Sequence, residues 1–166
     1  ERKRYEEHNN DVNDIRYQQF VSPITTYVLA NFKAHHSGLD FGCGTAPVIS
    51  KVLQDNGYKI HQFDPFFANK VELLDGTYDY VISCEVIEHF HKPDAEFKLL
   101  KNILTTDGAL ICMTHLYDDD IDFKKWYYKN DPTHVFIYRR ETIKFIADHY
   151  GFTNCEISNR LIVLKP

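Results

Sequence analysis

Leu39-Asp40-Phe41-Gly42-Cys43-Gly44-Thr45 puts two glycines directly behind a short apolar run that starts at Ser37. Glycine reaches positive φ with no Cβ penalty, so the pair reads as a tight turn that ends a strand. Past the turn, Val48, Ile49, Val52 and Leu53 recur at helical spacing as far as Gly57, where a glycine suits a helix stop. The reading is strand, glycine turn, helix. An open α/β sheet binds its ligands in the crevice outside the carboxyl ends of such strands. There the glycines would let backbone approach a ligand closely, and Asp40 would offer an acceptor to an ammonium group.

Working outward, residues 58–63 alternate as a second strand that stops at Asp64-Pro65, and residues 78–84 form a third, rich in β-formers. The fourteen residues 65–78 leave room for one short helix but not for helix, strand and second helix, so the sheet is small on that side. Phe97, Leu100, Ile103 and Leu104 predict a helix over 94–104, closed by Asp107-Gly108 and followed by a buried strand at 109–114. Residues 116–135 are polar and aromatic, long enough to be a functional loop rather than a connector. A helix at 141–150 then stops at Gly151, and strands at 152–157 and 161–164, joined through Ser158-Asn159, close the chain as an antiparallel hairpin. Ahead of the first strand, Ile15, Phe20, Val21, Ile24, Tyr27 and Val28 fit an amphipathic helix interrupted near Pro23. Alternating strands and helices predict a three-layer, doubly wound α/β fold, mainly parallel with a C-terminal antiparallel hairpin. Residues 1–36 read as a helical lead-in segment and 37–166 as the main domain.

The 166 residues are 43% hydrophobic and 26% charged, the balance of one globular domain. A core of that size needs no metal or disulfide to hold it, so a metal here would serve chemistry. The net charge of −5, from 19 basic and 24 acidic side chains, argues against a general electrostatic grip on nucleic acid or an anionic membrane. Cys43, Cys84, Cys112 and Cys155 show no C-x-x-C spacing, which fits reduced thiols in a cytoplasmic protein. There is no run of about 18 apolar residues and no basic-then-apolar leader, so neither a membrane span nor a signal peptide is expected.

Asp64 ends the second strand twenty-two residues after Gly42, where a carboxylate accepts ribose hydroxyls. A nicotinamide fingerprint would want a third glycine at position 47, leaving the helix start open to a pyrophosphate, and that position is Pro47. A cofactor with a ribose and no pyrophosphate suits the site better. At this point the chain resembles the class I S-adenosylmethionine-dependent methyltransferases, in particular small bacterial ones of unassigned substrate. The resemblance runs from about Leu39 to Pro166. It rests on Asp40, Gly42 and Gly44 of the first motif, on Asp64, on Tyr78-Asp79-Tyr80-Val81-Ile82 and on Cys84-Glu85-Val86-Ile87-Glu88-His89.

The resemblance implies a Rossmann-like sheet of order 2-1-4-5-7-6 in the family's strand naming, with the family's third strand missing. It implies S-adenosylmethionine as cofactor: Gly42, Cys43 and Gly44 against its amino-acid end, Asp40 near its ammonium, Asp64 on the ribose, and Cys84 and Glu85 flanking the sulfonium. The motif's frequent third glycine is Ala46 here, and the short stretch after Asp64 lacks the strand whose end usually meets the adenine. Pro65 and Phe66, with Phe67, stand in for it. Arg4-Tyr5-Glu6-Glu7-His8 resembles the segment that closes over the cofactor in this group, which makes Tyr5 and His8 candidate contacts. A solvated helix end is the other reading of that segment.

E-x-x-E-H after the third strand, with a further histidine before a later helix, is similar to the pattern of the ubiquinone-biosynthesis O-methyltransferases and the small-RNA 2′-O-methyltransferases. By that resemblance Glu85, Glu88, His89 and His134 would bind Mg²⁺ or a similar ion and lower the pKa of a substrate hydroxyl. Alternatively, Glu88 and His89 satisfy polar groups at a helix start and His134 is a substrate contact or general base. His134 is the candidate for chemistry in either case. The run Lys124-Lys125-Trp126-Tyr127-Tyr128-Lys129 reads as a substrate lid or as an aromatic cluster closing the edge of the core. The activity so implied is methyl transfer to a small-molecule acceptor, preferentially at oxygen. An RNA 2′-O-methyltransferase, a nicotinamide oxidoreductase and a non-catalytic cofactor-binding protein are the alternatives.

Overall fold

The computed structural model describes residues 11–166. Its elements run α1 (Ile15–Asn31), β1 (Ser37–Phe41), α2 (Val48–Asp55), β2 (Lys59–Phe63), β3 (Tyr78–Cys84), α3 (Pro93–Asn102), β4 (Leu104–Met113), α4 (Arg140–Tyr150), β5 (Asn154–Ser158) and β6 (Leu161–Lys165). Short 3-10 turns at Val71–Asp75, Ile87–His89 and Tyr127–Asn130 punctuate the connections.

The six strands form one sheet in the order β2-β1-β3-β4-β6-β5. β1 pairs in parallel with β2 and β3, β3 in parallel with β4, and β6 runs antiparallel to both β4 and β5. Renumbered in chain order, this is the sheet expected from the sequence, with a single 3-10 turn where a third family strand would sit. Alternation along each strand divides the core in two. Leu39, Val81, Leu110 and Cys112 face Phe97 and Leu100 of α3 and Ile143 and Ile146 of α4. Tyr80, Ile82, Ile111 and Met113 face Val21, Ile24 and Val28 of α1 and Val48, Ile49 and Leu53 of α2. Sheet between helices is the three-layer arrangement.

Two local expectations are corrected. The first helix is not interrupted at Pro23: α1 runs through it. Proline removes the bond to the carbonyl four residues back, but Gln19 and Pro23 both sit on the exposed side of the helix, where water satisfies that carbonyl. The second correction is at β4, which begins at Leu104 instead of after a turn at Asp107-Gly108. Tyr78 pairs with Leu104 and Tyr80 with Ala109, so a bulge absorbs Thr105 to Gly108 inside the strand. Glycine suits that place, because a Cβ on Gly108 would crowd the Asp79 carbonyl oxygen at 3.0 Å.

Gly38 has a different reason. It lies opposite Tyr80 in the β1–β3 register, and a Cβ on it would come within 2.2 Å of the Tyr80 ring. The missing side chain lets that ring lie across β1, touch Phe32 at 4.9 Å between centroids and donate its hydroxyl to the Lys59 carbonyl of β2 at 3.2 Å. β1 and β3 are neighbours whose connections leave in opposite directions, β1 toward β2 and β3 toward β4. Their carboxyl ends therefore frame the crevice expected of such a sheet.

Candidate active site

A cleft of about 350 Å³ opens at those strand ends. Gly42, Cys43, Gly44, Thr45 and Ala46 line it after β1, Asp64, Pro65 and Phe66 after β2, and Cys84, Glu85 and Val86 after β3. Tyr17 from α1 and the group His89, Asp131, Thr133 and His134 complete the wall.

The glycine turn has the backbone its sequence requires, with φ of 83° at Gly42 and 64° at Gly44. A Cβ at Gly42 would in addition meet the Val86 side chain at 2.5 Å. All three N–H groups of the turn are already engaged. Gly42 and Cys43 donate to the Phe63 carbonyl at 2.8 and 3.2 Å, and Gly44 donates to Asp64 Oδ2 at 3.0 Å. A pyrophosphate site needs such donors aimed at the ligand. This turn offers close backbone approach instead.

Asp64 is buried and holds the loop on both sides of itself. Its Oδ1 accepts from the N–H groups of Phe66 and Phe67 at 2.8 and 3.1 Å, and its Oδ2 from Gly44. A carboxylate has about four acceptor positions, so three protein donors leave room for one ribose hydroxyl, on Oδ2. The second hydroxyl would share that oxygen or displace Gly44.

Asp40 lies behind the turn, 3% exposed, its Oδ2 accepting from the Ser50 hydroxyl at 2.7 Å. It lines a smaller recess that shares Tyr17, Gly42, Cys43, Ala46 and Cys84 with the main cleft. Burial, with the charge of Asp64 adding to it, pushes its carboxyl up to about 7 from an ordinary 3.8. The folded form thus keeps a proton that the unfolded chain releases near pH 4. Stability from Asp40 is complete below that pH and is lost as pH rises toward 7, of order a few kcal/mol in all. Thermal unfolding of the ligand-free protein is expected at lower temperature at pH 8 than at pH 5, with Asp40→Asn reducing the difference and Glu85, whose carboxyl is also raised, carrying the remainder. An unchanged slope in that variant would place the titrating group elsewhere. A cofactor ammonium arriving beside Asp40 would drive the proton off.

Glu85 adopts the left-handed region at φ 53°, rare for a residue with a side chain, while its N–H donates to the Met113 carbonyl at 2.7 Å. The kink turns the chain away from β3 and sets the side chain in the cleft wall. Burial first, and then the neighbouring Glu88, push its carboxyl up to about 8. Its Oε1 lies 3.6 Å from an Arg160 guanidinium nitrogen. Cys84 and Cys43 are free thiols, and burial raises both, Cys43 to about 12, so neither is a nucleophile at neutral pH.

Of the four candidate metal ligands, Glu88, His89 and His134 bring one ligand atom each within 4.8 Å of one another, and Glu85 stands outside the group. Glu88 is fully buried and accepts from the Tyr128 hydroxyl at 2.6 Å and the Thr114 hydroxyl at 3.0 Å. His89 Nδ1 meets the Thr133 carbonyl at 2.9 Å, and His134 Nδ1 the Tyr128 carbonyl at 2.8 Å. A carbonyl only accepts, so Nδ1 carries the proton in both rings and the basic nitrogen of each neutral ring is Nε2. One carboxylate and two Nε2 atoms are a donor set that fits a divalent ion with positions left open.

The long loop reaches the cleft through Asp131, Thr133 and His134, not through the Lys124–Lys129 run. The latter packs on itself: Tyr117 meets Phe123 and Trp126 at 5.4 and 5.8 Å, Trp126 meets Tyr128 at 5.2 Å, and Arg139 covers Tyr117 at 5.1 Å. Tyr5 and His8 lie outside the described residues. The sequence reading missed the wall residues Thr45, Val86, Asp131 and Thr133, and it missed Tyr17, which shares a helix face with Val21, Ile24 and Val28 at spacings of three and four. Burial, then Cys84, pushes its hydroxyl up to about 12, so it stays a donor.

A mainly parallel sheet with this strand order, a glycine turn whose N–H groups are engaged, and an acid ending the next strand together define a Rossmann-like nucleoside-cofactor site. The methyltransferase-domain family matches residues 14–157, so the chain belongs to it: this is a class I S-adenosylmethionine-dependent methyltransferase domain. A search of curated proteins finds no match.

Solved structures share the fold. Magnesium protoporphyrin IX methyltransferase from Synechocystis, crystallised with S-adenosylhomocysteine, is 17% identical, with 99% of this chain and 93% of that one covered at a TM-score of 0.60. A SAM-dependent methyltransferase from Archaeoglobus fulgidus is 21% identical, with 84% and 71% covered at 0.62. An O-methyltransferase family protein from Burkholderia thailandensis is 14% identical at 0.60. There 88% of this chain spans only 55% of the other. No described helix is long and apolar enough to cross a membrane.

Proposed function

We propose that this chain transfers the methyl group of S-adenosylmethionine to a hydroxyl oxygen of a small-molecule acceptor, with His134 taking the proton. The carrying observation is the tautomer of His134. Its Nδ1–H is held by the Tyr128 carbonyl, which leaves basic Nε2 on a ring that lines the same cleft as the glycine turn. In the reaction the acceptor oxygen attacks the sulfonium methyl in line, the carbon–sulfur bond breaks as the carbon–oxygen bond forms, and the hydroxyl proton passes to Nε2. The sulfonium already makes the methyl labile, so alignment is the larger contribution and proton removal the smaller.

In this reading residues 1–36 are the lead-in segment and 37–166 the catalytic domain, with α1 lending Tyr17 to the pocket. Gly42, Cys43 and Gly44 meet the amino-acid end of the cofactor, Asp40 its ammonium, Asp64 its ribose, Pro65 and Phe66 its adenine, and Cys84 and Glu85 its sulfonium. A divalent ion is the second reading, favoured by the convergence of Glu88, His89 and His134. Bound there, it would lower the pKa of the acceptor hydroxyl.

Calorimetric titration with S-adenosylhomocysteine, with and without Mg²⁺, tests both. Micromolar binding without metal is expected. Additional heat from Mg²⁺ that disappears in His89→Ala would assign His134 to the ion, and no binding under either condition would sink the proposal.

A further inference from the structure

The long loop between β4 and α4 is tied to the floor of the cleft through one side chain that does not line it. Tyr128 is 4% exposed, and its hydroxyl meets Glu88 Oε1 at 2.6 Å, the Thr114 hydroxyl at 2.8 Å and Glu85 Oε2 at 3.4 Å. Glu88 grips the same loop a second time through its backbone, where its carbonyl accepts from the N–H groups of Val135 and Phe136 at 2.9 and 3.1 Å. Between those two attachments the chain makes a short arc, and His134 sits on it. The ring of His134 packs against the Tyr128 ring at 4.2 Å between centroids while its Nδ1 donates to the Tyr128 carbonyl. One residue thus supplies the histidine with both a wall and a hydrogen-bond acceptor, and its own hydroxyl is held by the buried oxygens of Glu88 and Thr114, with the partly buried Glu85 farther off.

We infer that Tyr128 is a positioning residue whose buried hydroxyl pegs the arc in place, so that its carbonyl keeps the His134 proton on Nδ1 and presents Nε2 to the acceptor. The rotation of an imidazole is otherwise soft, and with the carbonyl displaced the two tautomers become comparable in population. The kinetic consequence rests on the proposed role of His134 as base, whereas the pegging itself does not.

The test is nitrogen-15 NMR of the histidine rings in uniformly labelled protein, with His134→Ala used to assign the His134 signals. The wild type is expected to show a protonated Nδ1 and an unprotonated Nε2. Tyr128→Phe keeps the ring and the carbonyl but loses the peg, and the Nε2-protonated form is expected to rise from undetectable to at least about a tenth of the population. Binding of S-adenosylhomocysteine should change less than twofold. A folded Tyr128→Phe with the wild-type tautomer, or a wild type protonated on Nε2, overturns the inference.

If Tyr128→Phe does not fold, Thr114→Val decides. It removes one partner of the hydroxyl and is expected to speed solvent exchange of the His134 Nδ1 proton at least threefold, and unchanged exchange overturns the pegging. A shifted tautomer in Tyr128→Phe together with undiminished turnover in His134→Ala would leave the peg standing and remove the base. The reverse pattern would do the opposite.

Discussion

Asp64→Ala is expected to weaken binding of S-adenosylhomocysteine by about 100-fold or more, the value of one or two hydrogen bonds to a charged acceptor. The carboxylate is the one acidic group at the end of β2, and it acts twice. It has an acceptor position left for a ribose hydroxyl, and it keeps Gly44, Phe66 and Phe67 in place through three backbone bonds. Removal would lose the proposed ribose contact and untie the glycine turn from the neighbouring loop, so a lower unfolding temperature should accompany the weaker binding. Asp64→Asn separates the two effects. Its oxygen can still serve Phe66 and Phe67, but its amide would face the Gly44 N–H donor to donor, and an intermediate loss of about tenfold is expected. An affinity within threefold of wild type in Asp64→Ala would move the ribose away from β2 altogether.

His134→Ala is expected to leave cofactor affinity nearly unchanged and to lower turnover by about 10²- to 10⁴-fold, the range for loss of a positioned general base. The imidazole is held within its own loop by the Tyr128 carbonyl, away from the strand ends that carry the glycine turn and Asp64, so the cofactor end of the cleft should survive its loss. Transfer of labelled methyl from S-adenosylmethionine to a panel of hydroxyl-bearing acceptors, together with the calorimetric titration, separates binding from chemistry. Abolished cofactor binding in His134→Ala would show that the histidine belongs to the cofactor wall. Retained turnover would leave proximity and alignment as the whole of the catalysis.

Much of this architecture is legible in the sequence because it is local. β1 and β3 appear at the residues expected of them, since both strands are buried and bounded by glycine or charge, and β3 is in addition rich in β-formers. The places of the glycine turn and Asp64 are legible for the same reason, since they follow from strand ends. What long-range contacts decide was not. The Thr105–Gly108 bulge exists because Tyr78 pairs with Leu104, and nothing near Gly108 announces that partner. Tyr17 looks like one more residue of an amphipathic helix until α1 is laid on the sheet.

The metal-like motif is the sharpest case. Glu85, Glu88 and His89 are spaced for one face of a helical turn, but the chain leaves β3 through a left-handed Glu85 and a 3-10 turn. That geometry leaves Glu85 beside Glu88 but outside the cluster that Glu88 forms with His89 and His134, and it buries Glu88 among hydroxyls contributed by residues twenty-six and forty positions away. The aromatic run around Trp126 was equally ambiguous. Its partners, Tyr117, Phe123 and Arg139, lie within the same loop or just past it, so it folds on itself while Tyr128 alone drops to the floor.

The short connection between β2 and β3 has a consequence for the molecule among its neighbours. With only one 3-10 turn in that interval, β2 is left as the margin of the sheet, and among the described residues no strand pairs with the outward N–H and C=O groups of Lys59–Phe63. An open margin is a template on which another extended chain can pair. Here the template is five residues long, carries an exposed Lys59 and His61, and ends where Asp64 and Ala68 bridge back across it just before the chain turns at Pro65. Brevity, charge and a capped end guard against edge-to-edge polymerisation, and they stand in for the covering strand that a longer sheet would supply.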